Sequence, residues 1–251
     1  MSQLLYYLLI KPLSLLPLSV LHGLSTGLYW LIYRAVGYRK SVVRGNLERS
    51  FPEKTPAEIA AIMDDFYRRF CDIVVETIRL FSMSEEELRR RCPVENPEVW
   101  NQIAEQGKGF IVFAGHTNNW EFGAQSFQLF LPESYRSVGF YAPLKNDFLN
   151  RKMQESRGKF GMWLVSRREV KPFVAEHHRE HLAYFLGADQ APKAHGKTFW
   201  MTFLHQETPI AFGPEKFAKE FDLPVVYAEV KRYRRGYYGA MLHVTTLDPA
   251  S

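Results

Sequence analysis

The stretch GFIVFAGHTNNWEFGA, residues 109–124, decides how the chain is read. Gly109 and Gly115 bound a short apolar run, the mark of a buried strand. From Asn118 to Phe130 the pattern becomes helical, with Trp120, Phe127 and Phe130 among the apolar positions. His116 therefore falls just past the carboxyl end of a strand, where open α/β sheets gather their functional groups. Glu121 stands five residues on, about one turn into the helix, where it can fold back toward the imidazole.

That spacing suits a general base. A carboxylate on one ring nitrogen fixes the tautomer, leaves the other nitrogen free, and stabilises the imidazolium that forms on proton uptake. The helix N-terminus pushes the other way and keeps the ring neutral. A helix-capping or core-satisfied histidine beside an unrelated glutamate gives the same letters, because H-x4-E arises often by chance. The residues alone leave both open.

Working outward, RSVGFY (136–141), MWLVS (162–166), AYFLGA (183–188) and LPVVYAEV (223–230) read as four more strands. Helices are expected between them at about 146–160, 170–180 and 213–221. This alternation predicts an α/β fold, a mostly parallel sheet with helices on both faces. Upstream, Thr55-Pro56-Ala57-Glu58 has the form of a capping box. It opens a helix over about 56–81 whose apolar positions are Ile59, Ile62, Met63, Phe66, Phe70, Ile73, Val74, Ile78 and Phe81. A short helix after Ser84 pairs Glu85/Arg89, Glu86/Arg90 and Glu87/Arg91 at i,i+4, a solvated face.

The chain has 251 residues, 46% hydrophobic and 24% charged, with a net charge of +5. The positive balance favours an anionic partner without choosing among lipid, nucleic acid and an acidic carrier protein. Two cysteines, Cys71 and Cys92, make no disulfide framework. From Pro12 to Tyr33 there is no Asp, Glu, Lys or Arg, long enough for a helix to cross a hydrocarbon core about 30 Å thick. Arg34, Arg39, Lys40, Arg44 and Arg49 follow, the bias of a segment whose downstream side stays cytoplasmic. Pro12, Pro17, Gly23 and Gly27 weaken a straight span, so a half-inserted segment is the alternative. The organisation expected is a membrane-anchoring helical segment over 1–35, a helical lead-in over 36–105 and an α/β core over 106–251.

His116-Thr-Asn-Asn-Trp-Glu121 after the GFIVFAG strand resembles the H-x4-D/E block of the lysophospholipid acyltransferase superfamily. More narrowly it resembles the bacterial late acyltransferases of lipid A biosynthesis. RKSVVRGNLERSFPEKTPAEI (39–59), Arg157 with Gly161 and VSRR (165–168), and GADQAPKAHGKTFWMTFLHQETPIAFGPEKFAKEFDLPVV (187–226) resemble that group's other blocks, in order. The Thr-Asn-Asn-Trp insert is more polar than the group's pattern. Relatives continue into another helical segment past Ser251, so the resemblance implies a missing C-terminal part.

The resemblance implies a catalytic pair, His116 as base on an acceptor hydroxyl and Glu121 orienting it. It implies substrate contacts from Asn119, Arg157, Arg167, Asp189, Gln190 and Lys193, the arginines on phosphate. An acyl-carrier protein or acyl-CoA thioester would be co-substrate, with no cofactor and no metal. An anionic glycolipid would accept the chain, or in the wider superfamily a lysophospholipid. The expected location is the cytoplasmic side of a bacterial inner membrane. No Gly-x-Ser-x-Gly elbow occurs.

Two rivals come from other classes. HHREH (177–181) matches H-x-x-E-H, which can carry zinc on one helical face, though no third ligand is singled out. A non-catalytic membrane-surface module explains the apolar segment and basic charge but leaves His116 and Glu121 as accident. Nucleic-acid binding has no recognition motif behind it.

Overall fold

The computed structural model describes residues 1–187, 189–190, 192 and 198–250. The chain opens on helical turns, α1 (Ser2–Leu5), a wider π-type stretch (Tyr6–Ile10) and α2 (Lys11–Leu15). Leu16 and Pro17 are extended, which breaks the helix before α3 (Leu18–Tyr29) and a second π-type stretch (Trp30–Val36). No helix among the described residues is long and apolar enough to cross a membrane. The expectation of a single spanning helix over 12–33 therefore fails at Pro17, which has no N–H to donate. Leu18, Leu21, Ser25 and Tyr29 of α3 are buried instead.

Next come α4 (Lys40–Ser50) and α5 (Pro56–Leu80). The capping box forms: Thr55 N donates to Glu58 Oε2 at 2.8 Å, and Glu58 N to Thr55 Oγ1 at 3.3 Å. The buried face of α5 is rotated from the one its apolar residues suggest. It carries Ile59, Met63, Tyr67, Cys71 and Val75, together with the carboxylates of Asp72 and Glu76, while Phe66 is exposed. The reason is ionic: Asp72 and Glu76 have partners from other elements, so their burial is compensated.

After α6 (Glu85–Arg91) and α7 (Glu98–Ala104) the α/β part follows. It runs β1 (Phe110–Ala114), α8 (Trp120–Phe130), β2 (Arg136–Tyr141), α9 (Asp147–Gly158), β3 (Trp163–Ser166), α10 (Val170–His177) and β4 (Leu182–Gly187). Then come β5 (Thr198–Phe203), β6 (Gln206–Ala211), α11 (Gly213–Glu220), β7 (Val225–Arg234) and β8 (Tyr237–Thr246). The main sheet has the order β3-β2-β4-β1-β7-β8, parallel except for β8, and β5 pairs antiparallel with β6. The mostly parallel sheet expected is there; β5, β6 and β8 were not foreseen.

Alternate residues of β1 serve two cores. Phe110 and Val112 pack with Trp100, Phe127 and Phe185 on one face. Ile111 packs with Val138, Val174, Tyr184 and Ala218 on the other. Helices thus cover both faces, which is why the parallel strands read as continuous apolar runs.

Candidate active site

Ala114 of β1 lies in register with Gly187 of β4 and Ala228 of β7. The chain then leaves the sheet, so His116 and Asp189 emerge side by side at the carboxyl edge. His116 Nδ1 lies 2.6 Å from Asp189 Oδ1, and the His116 backbone N–H donates to Asp189 Oδ2 at 2.7 Å. Both oxygens of one carboxylate therefore hold one histidine. Nδ1 carries the hydrogen in this arrangement, and Nε2 has no hydrogen-bond partner among the described residues. Burial pushes the Asp189 carboxyl up, but the bonds from the His116 ring and backbone together outweigh it and hold the group below its ordinary value.

The ring leans on a neighbour. Trp120 meets it edge to face with centroids 4.9 Å apart, and the Arg157 guanidinium lies over the same indole at 5.5 Å. Arg157 in turn makes a forked pair with Glu121, Nε to Oε2 at 3.1 Å and Nη2 to Oε1. Glu121 is therefore buried against Arg157, and the partner expected for His116 is Asp189 instead. The physical reason is helical geometry. Glu121 sits in the first turn of α8, which favours its charge, but its side chain is directed at α9.

Asn119 was expected among the substrate contacts. It is fully buried as the N-cap of α8, its Oδ1 accepting from Phe122 N at 3.1 Å and its Nδ2 donating to Glu76 Oε2 at 2.8 Å. Glu76 also accepts from Tyr238 OH at 2.7 Å and lies 2.9 Å from His22 Nε2. These bonds tie the N-terminal helix α3, the long helix α5 and strand β8 to the start of α8. Such a fully partnered buried network fixes one geometry.

A cavity of about 400 Å³ opens at this edge. His116, Trp120, Glu121, Arg157, Arg167 and Gln190 line its polar side; Phe127, Phe140, Met162, Leu164 and Phe185 are among its apolar walls. Arg167, exposed at this cavity, has no ion pair among the described residues. Lys193, and with it Lys197 and His195, lies outside the described residues. The H-x-x-E-H segment does not form one helical face: α10 ends at His177, whose Nδ1 lies 2.6 Å from Glu180 Oε1, and His181 stacks on Tyr135.

The model of the family described as bacterial lipid A biosynthesis acyltransferase matches residues 2–248. The chain belongs to that family. It is also 26% identical over 173 residues to the lipid A biosynthesis acyltransferase of Haemophilus influenzae, covering 67% of this chain and 53% of that relative. The chain spans about half the length of the curated relative it matches. In this lipid A biosynthesis acyltransferase family member, sequence reasoning missed Trp120, Glu76 and the pairing of His116 with Asp189. Trp120 had a signal, standing four residues after His116 where an aromatic can reach back. Glu76 had a weaker one: it follows Asp72 by four, which puts two carboxylates on one side of a long helix.

Proposed function

We propose that the chain carries the acyl-transfer site of a membrane-surface acyltransferase that moves a fatty acyl chain from a thioester to a hydroxyl of a lipid A precursor. The observation that carries this reading is the His116–Asp189 pair, its Nε2 without a partner among the described residues, on a cavity that also has apolar walls. His116 Nε2 takes the proton of the acceptor hydroxyl as its oxygen attacks the thioester carbonyl. The new C–O bond forms, the C–S bond breaks, and the leaving thiolate takes the proton back from the imidazolium. Asp189 holds the ring and balances its transient charge. The apolar walls suit the acyl chain. Arg167 suits a phosphate of the acceptor, while Arg157 is already neutralised by Glu121 and braces Trp120 behind the base.

The donor is an acyl-carrier protein or coenzyme A thioester, and an acidic carrier fits the net charge of +5. The site works at the cytoplasmic face of a bacterial inner membrane. Acyl transfer by detergent-solubilised protein, offered lipid A precursor and lysophospholipid acceptors with both donors, tests this. Transfer to the precursor that disappears in His116→Ala is expected. Transfer indifferent to His116→Ala would remove the base assignment, and transfer to lysophospholipid alone would replace the acceptor.

A further inference from the structure

Strands β5 and β6 form a ribbon of their own, separate from the six-stranded sheet. The β5 sequence, TFWMTF, ends in an alternation that reads as a half-buried strand. The register Phe199↔Ile210, Met201↔Thr208, Phe203↔Gln206 puts Phe199, Met201, Phe203 and Ile210 on one face. An isolated two-stranded ribbon is marginal in water unless that face is covered. Among the described residues it is only partly covered: the four residues are 59%, 39%, 56% and 36% exposed. Leu204 at the turn and Trp200 on the reverse face are exposed as well. So large an apolar surface marks a contact.

The ribbon is held in place at its tip. Gln206 Oε1 accepts from Arg49 Nε at 2.9 Å, and Gln206 Nε2 donates to Ser50 Oγ at 3.1 Å. This fixes the turn against the end of α4, a helix with no buried residue, whose Arg44 and Arg49 are exposed. The chain leading into α4 exposes Trp30, Leu31, Val36 and Tyr38, and α4 itself exposes Val42. Exposed apolar and aromatic side chains on elements joined to a helix with exposed arginines, Arg44 loosely paired with Glu48 at 3.7 Å, suit an anionic bilayer of acyl chains and headgroups.

We infer that the Phe199/Met201/Phe203/Ile210 face of the β5–β6 ribbon enters an anionic lipid leaflet, with Arg44 of α4 at headgroup level. This rests on the membrane-surface reading proposed above and adds a second point of attachment, far in sequence from the N-terminal helices. The ribbon follows β4 and Asp189 in the chain, so its docking bears on how the catalytic edge meets the surface that holds the acceptor.

An environment-sensitive fluorophore tests it, attached to Met201→Cys, to Leu31→Cys and to Glu133→Cys in otherwise unaltered protein. The native thiols of Cys71 and Cys92 are buried, so they label poorly. With vesicles of phosphatidylethanolamine and phosphatidylglycerol, a blue shift and intensity gain are expected at 201 and 31 and not at 133. Added salt should reduce the gain, and Arg44→Gln should weaken partition roughly fivefold. A response at 31 with none at 201 would overturn the ribbon's role while leaving the membrane reading standing. No response at either would overturn both. An equal response with neutral phosphatidylcholine would overturn the anionic assignment. A response at 201 only on adding acidic carrier protein would give the face to that protein.

Discussion

Asp189 holds His116 by two bonds, at 2.6 Å to the ring and 2.7 Å to the backbone, while Glu121 is directed at Arg157. The two carboxylates therefore do different work. Asp189→Asn keeps the shape but removes the charge that, in the proposed reaction, stabilises the imidazolium. We expect kcat to fall roughly 10²- to 10⁴-fold with KM little changed. Glu121→Gln instead leaves Arg157 without its counter-charge. Because the Arg157 side chain is 25% exposed, the loss of stability should be about 1–3 kcal/mol, short of that for a fully buried pair. Steady-state kinetics and urea denaturation on both variants separate the roles. Equal loss of kcat with unchanged stability in both would return Glu121 to the side of His116.

Gly187 makes room for the His116 ring. A Cβ built on it would lie 2.6 Å from His116 Cε1, closer than carbon atoms approach. The residue is exposed at the end of β4, so Gly187→Ala has little core to disturb. Acyl transfer should fall at least as far as in Asp189→Asn while the melting temperature stays near that of the parent. A fully active Gly187→Ala protein would mean that the imidazole works from another position.

Most of the α/β layout was legible because parallel strands buried on both faces cannot hide: FIVFA and AYFLG are apolar throughout, and RSVGFY is so after its first two residues. The ribbon β5–β6 and strand β8 were not, because their apolar residues are mixed with polar ones and β8 is an antiparallel strand at one edge of the sheet. The site was half legible. His116, Arg157, Arg167 and Gln190 come to one cavity from separate stretches, as the family's blocks implied. Which carboxylate faces His116 was not, since Glu121 is near in sequence and Asp189 near only through the pairing of β1 with β4. Asn119 was misread for a related reason: a helix-capping amide and a substrate-binding amide look alike in letters. Its burial, and the partner Glu76 forty-three positions upstream, appear only after folding.

Asn119 links the cap of α8 to a fully buried carboxylate. Asn119→Ala removes the cap bond to Phe122 N, about 1 kcal/mol, and deprives Glu76 of one of its donors, about 1–3 kcal/mol more. Asn119→Asp restores the cap but sets two carboxylates against each other, so it should be no better than alanine. Chemical denaturation of the two variants checks this. A well-tolerated Asn119→Asp would show that the hydrogen bond from Asn119 to Glu76 is not what the fold depends on.

Lys159 gives the pH dependence of stability a definite sign. Its ammonium donates to Met83 O at 2.8 Å and to Leu80 O, closing the end of α5. Burial, helped by the nearby Arg79 cation, pulls its pKa from 10.5 down to about 8. Between those two values the unfolded chain holds a proton that the folded protein has released. Unfolding then takes up a proton, so stability rises with pH across that window. Below about 8 both states are charged and the cost of burying the charge is fully present; above 10.5 both are neutral and it is gone. The urea midpoint of the parent should therefore increase from pH 7.5 to pH 9.5 relative to that of Lys159→Met, which has nothing to titrate there. Parallel pH profiles for the two proteins would mean that the Leu80 and Met83 carbonyls hold the ammonium charged as well as water does.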